Sequence, residues 1–151
     1  MNTDLFNAFM ASDDTLRIYE GESLAFTSKK DRLLPLMEYI ALLKQDCGRQ
    51  PVTIYDKIMG NAAALLAVKV NCREVYSPLG SQLAIKTLDK HGIIHHLSET
   101  VPCIMRPDGK NMCPMEELSI GKEPEEFYQE LKARIEASPL ERRPLGKDKA
   151  R

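Results

Sequence analysis

Three short stretches put acids, bases or nucleophiles where the start of a helix could present them: Asp56-Lys57, Ser77 with Ser81, and Cys113-Pro114-Met115-Glu116. Backbone N–H groups at a helix start lack intrahelical partners and carry a partial positive charge, so these positions favour anions and capping oxygens. Asp56 suits the N-cap of the helix expected after it. It could also serve as a base or polar anchor, with Lys57 as an anion contact. Ser77 reads as a cap rather than a nucleophile, because no Gly-x-Ser-x-Gly surrounds it. The run from Tyr76 to Ser81 could still hold an anion on its amides. A cysteine at a helix start, such as Cys113, can ionise readily and attack as a thiolate. The plain alternative is that Cys113 packs as a small apolar residue while Glu116, three residues on, acts as a cap.

Other chemistries lack their residues. His95 and His96 are adjacent in an expected strand, so they point to opposite faces and cannot share one ion. His91 falls in a last helical turn, where a cation is favourable in any case. Cys103 and Cys113, separated by a turn, do not make a zinc site by themselves. The His-x-Glu and Pro-Cys-x-x-Cys signature of zinc deaminases is missing, as are a P-loop and Gly-x-Gly-x-x-Gly. No metal and no cofactor is therefore expected.

The elements that must position these residues follow from hydrophobic periodicity. Alternation over 15–20 and 23–28 predicts a β-hairpin. Leu33, Leu36, Met37, Ile40 and Leu43 form the stripe of a helix over about 32–46. A short strand over 52–55 precedes a helix over about 57–69, whose Ala62-Ala63-Ala64 allows close packing on a sheet. A strand over 73–76 leads to a helix over about 78–91, with Ser77 as cap and Pro78 at its first position. Runs 93–97 and 101–105 read as two strands, Pro107-Asp108-Gly109 as a turn and 113–116 as the start of a short helix. A final helix spans about 124–137, with Phe127, Leu131 and Ile135 four apart. Helices alternating with short strands, after a hairpin, indicate an α/β sandwich with a mixed sheet. Ligands in such sheets bind beyond the carboxyl ends of parallel strands.

The chain has 151 residues, a net charge of −1 and 43% hydrophobic residues. One domain with a real core is the default at this length. Residues 1–13 are expected to be a flexible N-terminus, 14–137 a single α/β domain, and 138–151 a disordered basic tail. The balanced charge argues against nucleic acid as a partner. No apolar run is long enough to cross a bilayer, and four scattered cysteines do not form a disulfide scaffold, so a cytoplasmic protein is expected.

Leu33-Leu34-Pro35-Leu36, Asp56-Lys57-Ile58-Met59-Gly60-Asn61-Ala62-Ala63-Ala64, Val101-Pro102-Cys103-Ile104-Met105-Arg106 and Cys113-Pro114-Met115-Glu116 occur in that order. Together they resemble a bacterial and archaeal family known only as domain of unknown function 1893, over about residues 16–118. Its fold is similar to cytidine deaminase, which implies a three-layer α/β/α sandwich. In catalytic deaminases zinc ligands sit at two adjacent helix starts. The corresponding positions here, near Asp56-Lys57 and Ser77 to Ser81, offer neither His nor Cys. The fold can carry over without the zinc chemistry.

The leading expectation is a metal-free, deaminase-like domain that binds a small ligand such as a nucleotide or another anion. Lys57 and Arg106 would contact the anion, Asp56 and Glu116 would orient the ligand or the helix starts, and Ser81 would line the site. One alternative is a metal-independent enzyme with Cys113 as nucleophile and Asp56 or Glu116 handling protons. Another is a non-catalytic interaction module, which leaves a homo-oligomer open.

Overall fold

A computed structural model describes residues 3–43 and 50–137. The expected basic tail, the last turn of the helix over 32–46, and Cys47 lie outside the described residues. The first element is a helix, α1, Thr3–Met10, where flexible chain was expected. Its Leu5, Phe6 and Phe9 pack against tyrosines of the sheet. This tertiary burial, rather than propensity, accounts for so short a helix.

Strands β1 (Leu16–Glu20) and β2 (Ser23–Ser28) form the expected hairpin, followed by α2 (Leu34–Leu42), β3 (Val52–Asp56) and α3 (Asn61–Lys69). Then come β4 (Cys72–Ser81), α4 (Gln82–Lys90), β5 (Ile94–Val101), α5 (Pro114–Ser119) and α6 (Pro124–Ala137). The five strands make one mixed sheet in the order β2-β1-β3-β4-β5. β1 is antiparallel to β2 and to β3, whereas β3, β4 and β5 run parallel. The fold is thus α/β with a five-stranded mixed sheet.

Strand alternation divides the molecule into two cores. Leu16, Ile18, Val52, Ile54 and Val75 face α2, α3, α4 and α6. Tyr19, Tyr55 and Tyr76 point the other way, toward α1. The Tyr55 and Tyr76 rings stack at 4.7 Å, and Tyr76 stacks on His96 at 4.4 Å. α3 is buried along nearly its whole length, from Asn61 to Ala67, as its alanines predicted. Among the described residues no helix is long and apolar enough to cross a membrane.

Three boundaries differ from the sequence reading. The chain after β3 does not enter a helix at Lys57. Met59 instead bridges to Gly80 in parallel fashion, and α3 starts at Asn61 with Gly60 as N-cap. The Ser77-Pro78 step is not a helix start. β4 runs through it to Ser81, and Pro78, which has no N–H, falls between the paired positions Ser77–Leu97 and Leu79–Glu99. The two strands expected over 93–105 are one strand, β5, followed by a turn-bearing hairpin closed by a Met105–Met112 bridge.

Candidate functional site

The carboxyl ends of β3 and β4 gather most of the singled-out residues. Asp56 is the last residue of β3, only 9% exposed. It shares a face with Ile54, toward the helices, and lies beside Ser77, one step beyond the Tyr55–Tyr76 pair. Its Oδ1 accepts a 3.4 Å contact from the Ile58 N–H. Burial pushes its pKa up to about 7, while the Ile58 and Lys57 N–H groups and the Lys57 charge pull weakly the other way. Asp56 is thus not the N-cap of α3. It closes a local turn at the end of the strand.

Lys57 diverges from Asp56 at the bend that follows β3, where its N–H donates to the Thr15 carbonyl at 3.3 Å. Its Nζ donates to the Ser12 carbonyl at 3.3 Å and sits 4.7 Å over the Phe9 ring, on the α1 side. Ser81 is fully buried, and its Oγ accepts from the Ala84 N–H at 3.0 Å, so it caps α4. The side chain of Ser77, equally buried, donates to the Leu79 carbonyl at 2.9 Å.

Glu116 is 2% exposed, and both of its oxygens are used. Oε1 accepts from the Asn61 N–H at 2.6 Å, the first residue of α3, and Oε2 accepts from the Ile104 N–H at 2.8 Å. The carboxylate therefore occupies the place an external anion would take at that helix start. It caps a helix, as the sequence suggested, but α3 rather than its own α5. Asn61, which sequence reasoning passed over, extends the network. Its Nδ2 donates to Ser119 Oγ at 3.0 Å, and its Oδ1 accepts from the Thr87 hydroxyl. The available signal was a lone amide at the head of a helix that is apolar from Ala62 to Val68.

Cys113 is the half-buried N-cap of α5, and its side chain makes no cap hydrogen bond. Its N–H donates to the Ile104 carbonyl at 2.9 Å. Arg106 is exposed near the hairpin tip, with its N–H on the Asn111 carbonyl at 2.7 Å. Contacts thus join Glu116, Ile104 and Cys113 beside the start of α3. Lys57 is directed away from Asp56, and Arg106 lies out on the hairpin.

His95 and His96 diverge as alternation requires. His95 Nε2 lies 3.0 Å from Asp89, and His96 Nε2 lies 2.7 Å from Glu74, which also accepts from the Tyr76 hydroxyl at 3.1 Å. Among the described residues no three His, Cys, Asp or Glu side chains gather where they could hold one ion.

No curated protein matches the chain. A crystal structure of a DUF1893 family protein from Thermotoga maritima is similar to it, with 27% sequence identity and a TM-score of 0.75. The similarity covers 89% of this chain and 92% of that one. The model of the family described as a domain of unknown function, DUF1893, matches residues 4–135, which is the whole sheet and nearly all of every helix from α1 to α6, and the chain belongs to that family.

Proposed function

We propose that the chain is a binding domain of cytidine-deaminase-like, three-layer architecture that takes a small nitrogenous molecule, such as a nucleotide, at the carboxyl ends of β3 and β4. The carrying observation is Asp56. A carboxyl group buried at the end of a central parallel strand, with a long backbone contact, costs stability unless something else uses it. Its position follows the rule for ligand sites in open α/β sheets. A carboxyl that titrates near neutrality can both donate and accept, which matches the adjacent N–H and ring nitrogen of a nucleobase edge.

The geometry changes the roles expected from the sequence. Glu116 and Ser81 hold the starts of α3 and α4 and act as positioning groups. Lys57 is held by the Ser12 carbonyl and the Phe9 ring, which leaves Arg106, out on the exposed hairpin, as the remaining cation of the expected set to meet a ligand phosphate. The architectural reading rests on the strand order, with a hairpin before two parallel crossovers, and on α1 as the third layer.

Thermal stability against a panel of bases, nucleosides, nucleotides and inorganic phosphate tests this. A ligand at about a hundred times its dissociation constant adds roughly 2.7 kcal/mol. That corresponds to a Tm rise of about 5–10 °C for a chain of this size. The rise is expected for a base-containing compound with the wild type and not with Asp56→Asn. A shift that survives Asp56→Asn, or one given by phosphate alone, overturns the assignment of Asp56 as anchor.

A further inference from the structure

We propose that the outer face of the hairpin over residues 103–113 is a binding site for a soft monovalent cation, Cu(I) or Ag(I), held by the sulfurs of Cys103, Met105 and Met112. The site is separate from Asp56 and does not depend on the function proposed above.

The argument begins with composition. The chain has four cysteines and seven methionines, yet Cys103, Met105, Met112, Cys113 and Met115 crowd into thirteen consecutive positions. The backbone then sorts them by face. The antiparallel Met105–Met112 bridge sets these residues opposite each other, so their side chains leave the same side of the hairpin. Cys103, in the bend two residues before Met105, is brought to that side by its contact with the Met105 sulfur. Its Sγ lies 3.6 Å from Met105 Sδ, close enough for both to touch one ion. Ile104 points the opposite way, with its Cγ1 packed 3.1 Å from the position of a Cβ at Gly60. Cys113 pairs with Ile104 through its N–H and shares the inner side.

The base of the hairpin is fixed by the Ile104 N–H on Glu116, which holds the outer face in place. Met105 is 41% exposed and Cys103 is partly exposed, so an ion can reach them.

The donor set selects the ion. One thiol and two thioethers are soft and carry little charge. They suit Cu(I), whereas zinc takes four thiolate, imidazole or carboxylate ligands and calcium or magnesium takes oxygens. On binding, the Cys103 S–H bond breaks and the proton leaves to solvent. The thiolate and the two thioether sulfurs donate lone pairs to the ion, and no oxidation state changes.

Competition of the full chain against bicinchoninate for Cu(I), under ascorbate and without oxygen, tests the site. One ion per chain is expected. Cys103→Ser should weaken binding by about a hundredfold or more, and Met105→Leu and Met112→Leu by about tenfold each, because softness is supplied by all three sulfurs. All three changes are at the hairpin surface, and circular dichroism verifies that each variant is folded. Cys113→Ser should leave the affinity unchanged. The proposal fails if the wild type does not compete, if Cys113→Ser rather than Cys103→Ser abolishes binding, or if the two leucine variants bind as the wild type does. The last result would mean a solitary thiol and no built site.

Discussion

Asp56 makes pH dependence the most direct readout at the level of single residues. An unperturbed group of this type ionises near 3.8, and burial raises the folded value to about 7. Below the lower value both states hold the proton and the group makes no difference. Between the two values the unfolded chain ionises while the fold keeps its proton, so stability falls by about 1.4 kcal/mol per pH unit. The loss stops once the folded group ionises, and it totals roughly 4 kcal/mol. Asp56→Asn cannot ionise. Relative to the wild type it is expected to gain stability progressively from about pH 4 to about pH 7 and to keep the gain above that. Urea unfolding of both proteins across that range checks this, and parallel curves would show that the folded carboxyl is already ionised at low pH. The acid was legible in the sequence as a polar group at a strand end. The separation of Lys57 from it was not, because it arises at a bend after the strand, where a helix start was expected.

At the scale of elements, the start of α3 is where α5 and the hairpin are joined to the core. Gly60 permits this through close approach. A Cβ there would stand 2.9 Å from Glu116 Oε1 and 3.1 Å from Ile104 Cγ1, neither of which can withdraw without losing its packing or hydrogen bonds. Gly60→Ala is expected to cost about 1–3 kcal/mol. Glu116→Ala, which strands two backbone N–H donors, is expected to cost about 3–5 kcal/mol. Because the substituted Glu116 no longer crowds position 60, the double variant should be less unstable than the sum of the two. A double-mutant cycle by denaturant unfolding measures the difference, and strict additivity would mean that the two groups do not meet. The hairpin β1–β2 and helix α6 could be read from alternation and four-residue spacing, and strand β3 from a short β-prone run, although β1 and β3 bury side chains on both faces of the sheet. The starts of α3 and α4 could not. Their boundaries are set by pairing between segments distant in sequence, Met59 with Gly80 and Leu79 with Glu99, which overrides the local helix-start signal of Ser77-Pro78.

For the molecule as a whole, the sheet has one face covered by several helices and one on which α1 supplies the packing. The second face was not legible as a core because tyrosines alternating with Arg17, Thr53 and Glu74 do not resemble an apolar strand pattern. Their rings nevertheless meet across β1, β3 and β4, Tyr19 edge-on to Tyr55 and Tyr55 stacked on Tyr76, and Phe9 closes over them with no exposed surface, 6.0 Å from the Tyr55 ring. Phe9 is the fully buried residue of α1, with Leu5 and Phe6 partly buried beside it. Phe9→Ala is expected to cost about 3–5 kcal/mol, as for other buried aromatic truncations. Asn7→Ala, on the exposed side of the same helix, should stay within about 0.5 kcal/mol of the wild type. Phe9→Ala also removes the ring beneath the Lys57 ammonium, which leaves Lys57 only its hydrogen bond to the Ser12 carbonyl among these two contacts. Chemical denaturation of the two variants separates the cases. A loss confined to Phe9→Ala means that α1 is an integral layer, which the three-layer reading requires. Equal, small changes would mean that the tyrosine face is held by its own stacking and that Lys57 is free to turn toward the end of β3.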